Sequence, residues 1–129
     1  MHWTDVFAVF VVSHLVGDYL LQTDWQARHK FGGLRPGGNR RALVSHVAAY
    51  TACFIPAFVW LAGHAGGWTI GIAALVALPH LVQDDGWLVT AYMRTVKGAD
   101  GAPGQLLFMA VDQTFHVVAL LAVALLAAS

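Results

Sequence analysis

Charge is scarce in this chain. Of 129 residues only 11% are Asp, Glu, Lys or Arg, whereas 58% are hydrophobic. A soluble domain carries about 25% charged residues, so there is too little charge here to coat a globule. Lys plus Arg and Asp plus Glu number seven each and cancel to a formal net charge of zero, which removes any long-range attraction to nucleic acid. Cysteine is nearly absent. The lone Cys53 excludes an internal disulfide and any C-x-x-C redox or zinc pair, and it reads as a small buried hydrophobe. No cleavable leader is expected: Met1-His2-Trp3-Thr4-Asp5 carries an acid where a positive n-region would stand, and no small-x-small cleavage site follows. With His14 and Asp18 inside it, the first apolar block reads as a retained span.

What the chain does have is apolar blocks close to the ~20 residues a helix needs to cross a ~30 Å hydrocarbon core. The expected fold is an all-α membrane protein, a four-helix transmembrane bundle in one domain over residues 1–129. Helices are predicted at about 3–23, 41–61, 68–95 and 105–127, with Pro56 and Pro79 as kink or break points. Between them lie a short polar piece at 24–30, a glycine-rich loop at 31–39, a turn at 62–67, and a loop at 96–104 holding Gly98, Gly101, Pro103 and Gly104. Arg28, Lys30, Arg35, Arg40, Arg41, Arg94 and Lys97 all fall on one side of this arrangement. By the positive-inside rule those loops are cytoplasmic and both termini face outward. Arg28, Lys30, Arg94 and Lys97 read as topology anchors, and most of the tryptophans fall at expected interfaces. His14-Leu15-Val16-Gly17-Asp18 is echoed by His80-Leu81-Val82-Gln83-Asp84, which suggests two pseudo-repeated helical hairpins related by an axis along the membrane normal.

Ionisable residues within spans are costly and usually face the bundle interior, paired or functional. Here His14, Asp18, His46, His80, Asp84, Asp112 and His116 all fall inside predicted spans. His14/Asp18, His80/Asp84 and Asp112/His116 are i,i+4 pairs, which puts both partners on one helix face. At ~1.5 Å rise per residue, the seven lie roughly 8 to 21 Å from the cytoplasmic ends of their helices. Four imidazoles and three carboxylates at similar depth suit zinc, iron or manganese, as one ion with supporting groups or as two ions. Two other readings fit the same residues, a proton or ion pathway and a network of His–Asp hydrogen bonds holding helices together. The latter is a modest return, since such bonds average only ~0.6 kcal/mol in membranes. Gln22 continues the 14/18 face towards the mouth of the cluster. Asp85 and Gln113 lie about 100° away from Asp84 and Asp112 on their helices, so Asp85 reads as a supporting or loop-facing acid and Gln113 as turned away.

The run from His14 through Gly17-Asp18-Tyr19 to Gln22-Thr23-Asp24-Trp25, with Lys30 after it, resembles the opening of a small bacterial membrane family known as domain of unknown function 3307. Leu43-Val44-Ser45-His46, His80-x-x-x-Asp84 and Asp112-Gln113-x-x-His116 match its other marks in order. The resemblance covers nearly the whole chain. It implies a compact, multi-span protein of the bacterial inner membrane. More distantly, the His/Asp pattern is similar to membrane-bound families described as metal-dependent hydrolases. Where the resemblance implies a basic residue soon after the third-helix aspartate, this chain has Asp85-Gly86, with Arg94 the nearest base.

The leading functional reading is therefore a metal-dependent hydrolase of a lipid or lipid-linked substrate, acting from the cytoplasmic face. The seven His/Asp residues are its candidate ligands, and Asp84 or Asp112 the candidate general base. The alternatives are a non-enzymatic metal-binding or transport protein and a membrane scaffold. A homo-oligomer is compatible with all three. An open coordination position beside a crevice marks the enzyme and a continuous polar path the transporter, while a scaffold needs neither.

Overall fold

The computed structural model describes residues 1–99 and 104–129, so Gly101 and Pro103 of the expected 96–104 loop lie outside the described residues. The described chain is all helical. Helix α1, Trp3–Leu15, runs directly into a π-helical turn, Val16–Leu20. It is followed by α2 (Asp24–His29), α3 (Arg40–Cys53), α4 (Ile55–Ala65), α5 (Trp68–Asp84), α6 (Trp87–Thr95) and α7 (Gln105–Ala127).

Helix α1 packs against α7, α7 against α5, and α5 against both α3 and α4, which return to α1 and its π turn. The result is a ring of four helical rods. Short α2 lies on α3, and α6 lies against α5 and α7. The core at the end bearing the termini is wholly apolar, with Val6, Phe10, Phe54, Leu61, Ile72, Val76, Leu120 and Val123 at its centre.

The predicted fourth helix, 105–127, is the observed α7. The other three differ in their ends or breaks, although the second does bend at Pro56 as expected. The first ends three residues early, and the polar piece after it is a helix. Its Thr23 and Gln26 form a capping box, each side chain bonding the other's backbone N–H. The second is broken at Phe54, with a 55° bend between α3 and α4. Pro56 in the first turn of α4 explains the break: it has no N–H to give and its ring crowds the preceding turn. The third is not interrupted at Pro79, which sits inside continuous α5. It breaks instead after Asp85, where Gly86 takes φ +78° and ends the helix in a left-handed turn.

Two helices, Trp3–Leu20 and Gln105–Ala127, are long and apolar enough to cross a membrane, and the bent α3–α4 pair would make a third span. α5 is apolar but shorter. The outer surface of the ring is rich in large apolar side chains: Trp68 and Ile70 are each 80% exposed and Val59 70%.

Candidate metal centre

All three i,i+4 pairs turn inward and meet. Within them, His14 Nδ1 lies 3.6 Å from Asp18, His80 Nε2 3.1 Å from Asp84, and His116 Nδ1 3.9 Å from Asp112. His46 joins them from α3. All seven residues are buried.

The π turn and a missing Cβ bring α1 close to α3. Leu21 N–H bonds back five residues to the Val16 carbonyl, the wide turn that often marks functional sites. A Cβ on Gly17 would stand 2.7 Å from Tyr50 Cδ2, so only glycine lets the helices approach this far. Tyr50 in turn lies flat on the His80 ring, centroids 3.4 Å apart and planes within 5°.

Around Asp84 the nitrogens converge. His46 Nε2 is 2.8 Å and His80 Nε2 3.1 Å from Asp84 Oδ2, and these two nitrogens are 3.2 Å from each other. Asp18 Oδ1 lies 3.3 Å from His46 Nε2 and 3.6 Å from His80 Nε2. Tetrahedral ligands about 2.0–2.1 Å from a zinc ion stand roughly 3.3 Å apart, and these separations cluster around that value. On the other side of Asp84, His116 donates Nδ1–H to the Asp112 carbonyl at 2.7 Å. In the neutral ring that bond leaves Nε2 as a lone pair, and it faces Asp84 Oδ1 at 3.5 Å. A proton on Nε2 or a metal ion between the two would satisfy both acceptors.

The unmet polar atoms say the same. Asp112 Oδ1 and His116 Nε2 are buried without a hydrogen-bond partner, as are Nδ1 of His46 and of His80, whereas Asp18 Oδ1 and the Asp84 oxygens meet only histidine nitrogens and the Lys30 ammonium. Each such atom costs about 1–3 kcal/mol when left so. The groups Asp18/His80/His116, His46/His80/Asp84 and Asp84/Asp112/His116 each bring one atom per residue within 4.8 Å of the others, so these buried clusters could hold a metal ion.

His14 differs from the other six. Its Nε2–H donates to Gln113 Oε1 at 2.9 Å, its Nδ1 lies 3.2 Å from the Tyr50 hydroxyl, and Gln113 Nε2 donates to Asp18 Oδ2 at 3.3 Å. Both ring nitrogens are thus committed to protein partners, and the relay fixes the orientation of Asp18. The expectation that Gln113 turns away from the site is corrected here. Its amide donates to Asp112 Oδ2 at 3.4 Å, and because α7 packs against α1 on that side it also meets Asp18 and His14.

Lys30 needs the same correction. Read from sequence as a topology anchor, it is only 6% exposed and sets Nζ 3.0 Å from Asp84 Oδ1 and 2.8 Å from Gln22 Oε1. The available signal was the Thr23-x-x-Gln26 capping box, which turns the polar piece into a helix that carries Lys30 back beneath the bundle. Asp85 behaves as the expected loop-facing acid, accepting from Leu34 N–H at 2.8 Å. Gln22 stands at the mouth of the site, as expected, on the wall of a cavity of about 320 Å³ that also includes Asp18, Lys30, Phe31, Phe108, Asp112 and Gln113.

No curated protein and no solved structure gives a match. A family model described as protein of unknown function (DUF3307) matches residues 6–129, nearly the whole chain, and the chain belongs to that family.

Proposed function

We propose that the chain is a multi-pass membrane protein whose buried His/Asp centre holds a divalent transition metal and hydrolyses an ester or phosphoester of a lipid or lipid-linked substrate. The observation that carries the reading is a one-sided opening. The cavity walled by Asp18, Asp112 and Lys30 leads from the centre to the end with the basic loops, whereas the other end is sealed by the apolar core of Phe10, Phe54, Val76 and Leu120. A transporter needs a polar path through both ends, and a scaffold needs no opening.

Support for the membrane comes from the inverted distribution of polarity. Ionisable groups fill the centre while Val59, Trp68 and Ile70 face outward, an apolar exposure that soluble monomers rarely tolerate. The four rods of the ring are the four spans, the broken ones included, with α2, the 31–39 loop and Lys97 on the cytoplasmic side of the bacterial inner membrane.

His46, His80, Asp18 and Asp84 are the proposed ligands, with His116 at reach of Asp84. His14 and Gln113 orient Asp18. When bound, the ion supplies a Lewis acid and lowers the pKa of a water towards 7. Asp112, with Oδ1 unpartnered at the cavity wall, takes the proton from the attacking water. The water oxygen bonds the carbonyl carbon or phosphorus, the ester C–O or P–O bond breaks, and Asp112 returns the proton to the departing alkoxide. Phe31, Phe108 and Met109 offer apolar contact to a lipid chain in the cavity.

The test is incubation of metal-loaded protein in bilayers of bacterial lipid extract, with mass spectrometry of the products. A new lysolipid, free alcohol or phosphate that a chelator abolishes is the expected result. Loaded protein that leaves every lipid unchanged would shift the reading to metal binding without catalysis.

A further inference from the structure

Resting on the metal reading above, we infer that the centre takes a single divalent ion and that the Lys30 ammonium occupies the place of a second. The cluster has two poles joined by Asp84. At one pole, Asp84 Oδ2 meets His46 Nε2 and His80 Nε2, with Asp18 Oδ1 beside them. At the other, Asp84, Asp112 and His116 each offer an atom within 4.8 Å of the others, and His116 Nε2 aims at Asp84 Oδ1 without a hydrogen bond. A carboxylate bridging two such sets is the arrangement of two-metal sites. Here, however, Lys30 Nζ already stands 3.0 Å from Asp84 Oδ1, held by Gln22.

Charge balance supports the assignment. With neutral histidines, the three buried aspartates Asp18, Asp84 and Asp112 outweigh Lys30 by two negative charges. One divalent ion brings the buried centre to neutrality, whereas a second would raise it to +2 beside the Lys30 ammonium but only to +1 in its absence, and excess buried charge is strongly disfavoured. A lysine is a compact point charge suited to that place. Because Lys30 also lines the cavity, it offers the leaving oxygen the stabilisation that a second ion gives in two-metal sites.

The experiment strips the full-length, detergent-purified chain with a chelator, reloads it with excess zinc and counts ions per chain by mass spectrometry. The wild type should hold one zinc and Lys30→Met two. Two ions in the wild type would overturn the inference while leaving the metal reading intact, and no ion would remove that reading itself. One ion in both proteins would show that Lys30 is not the stand-in. Should Lys30→Met fail to fold, Asp112→Asn decides the matter from the other pole. It should keep its one zinc, because that pole carries the ammonium. Loss of the ion would place the metal there and overturn the inference.

Discussion

Replacing Asp112 with Asn separates chemistry from metal binding at the scale of one atom. The change keeps the shape and removes the proton acceptor at the cavity wall, so turnover should fall by about 10²–10⁴-fold with zinc content unchanged. Retained turnover would pass the base role to Asp84. Gln113→Leu breaks the relay from His14 to Asp18 and the amide's 3.4 Å bond to Asp112 Oδ2, while leaving every proposed ligand in place. Supporting groups of this kind are worth about 10–100-fold in metal affinity, a loss that competition with a chromophoric chelator would measure. Metal affinity should also fall steeply as pH drops below about 6, since imidazole must be deprotonated to bind. A flat profile between pH 7 and 5 would point to carboxylate ligands alone. The i,i+4 pairs and the lone His46 were legible as a cluster because spacing fixes a helix face. Gln113 and Lys30 were not legible, since their roles depend on which neighbour lies across from them.

At the scale of elements, the breaks position the site. Gly86 lets α5 end at Asp85, whose backbone and side-chain oxygens then pin Gly32 and Leu34 of the 31–39 loop. Gly86→Ala forces a Cβ into a positive-φ position and against the Phe31 ring, which should destabilise by about 1–3 kcal/mol. Gly17→Ala drives α1 off Tyr50 and should cost a similar ~1–3 kcal/mol. Gly71→Ala, whose added Cβ meets nothing nearer than Trp68 at 3.8 Å, serves as the control. It should be neutral or up to about 1 kcal/mol stabilising, as alanine is the better helix former. Thermal unfolding in detergent would rank the three, and an unchanged Gly17→Ala melting temperature would contradict the close approach. Pro56 marked a true bend while Pro79 did not. Both prolines disfavour the helix locally, so the packing of α5 against α3, α4 and α7 decides which one the chain absorbs.

For the whole molecule, the proposed topology is open to a labelling test in a Cys53→Ala background. Leu34→Cys in the basic loop should resist an impermeant thiol reagent in intact cells, and Gly63→Cys near the opposite end should react; the reverse pattern would invert the orientation. Composition alone carried the expectation of a membrane bundle, because 11% charge cannot cover a surface in water. It also determined which residues would share a depth, since helical rise converts sequence position into distance along an axis. Tertiary structure alone decided that the seven residues form one centre rather than four separate polar patches, through a π turn, a glycine contact and the ring order of the helices. It also decided that buried Lys30 belongs to that centre. A side chain's charge is written in the sequence, but the carboxylate it meets is set by long-range packing, and neither periodicity nor local propensity encodes that.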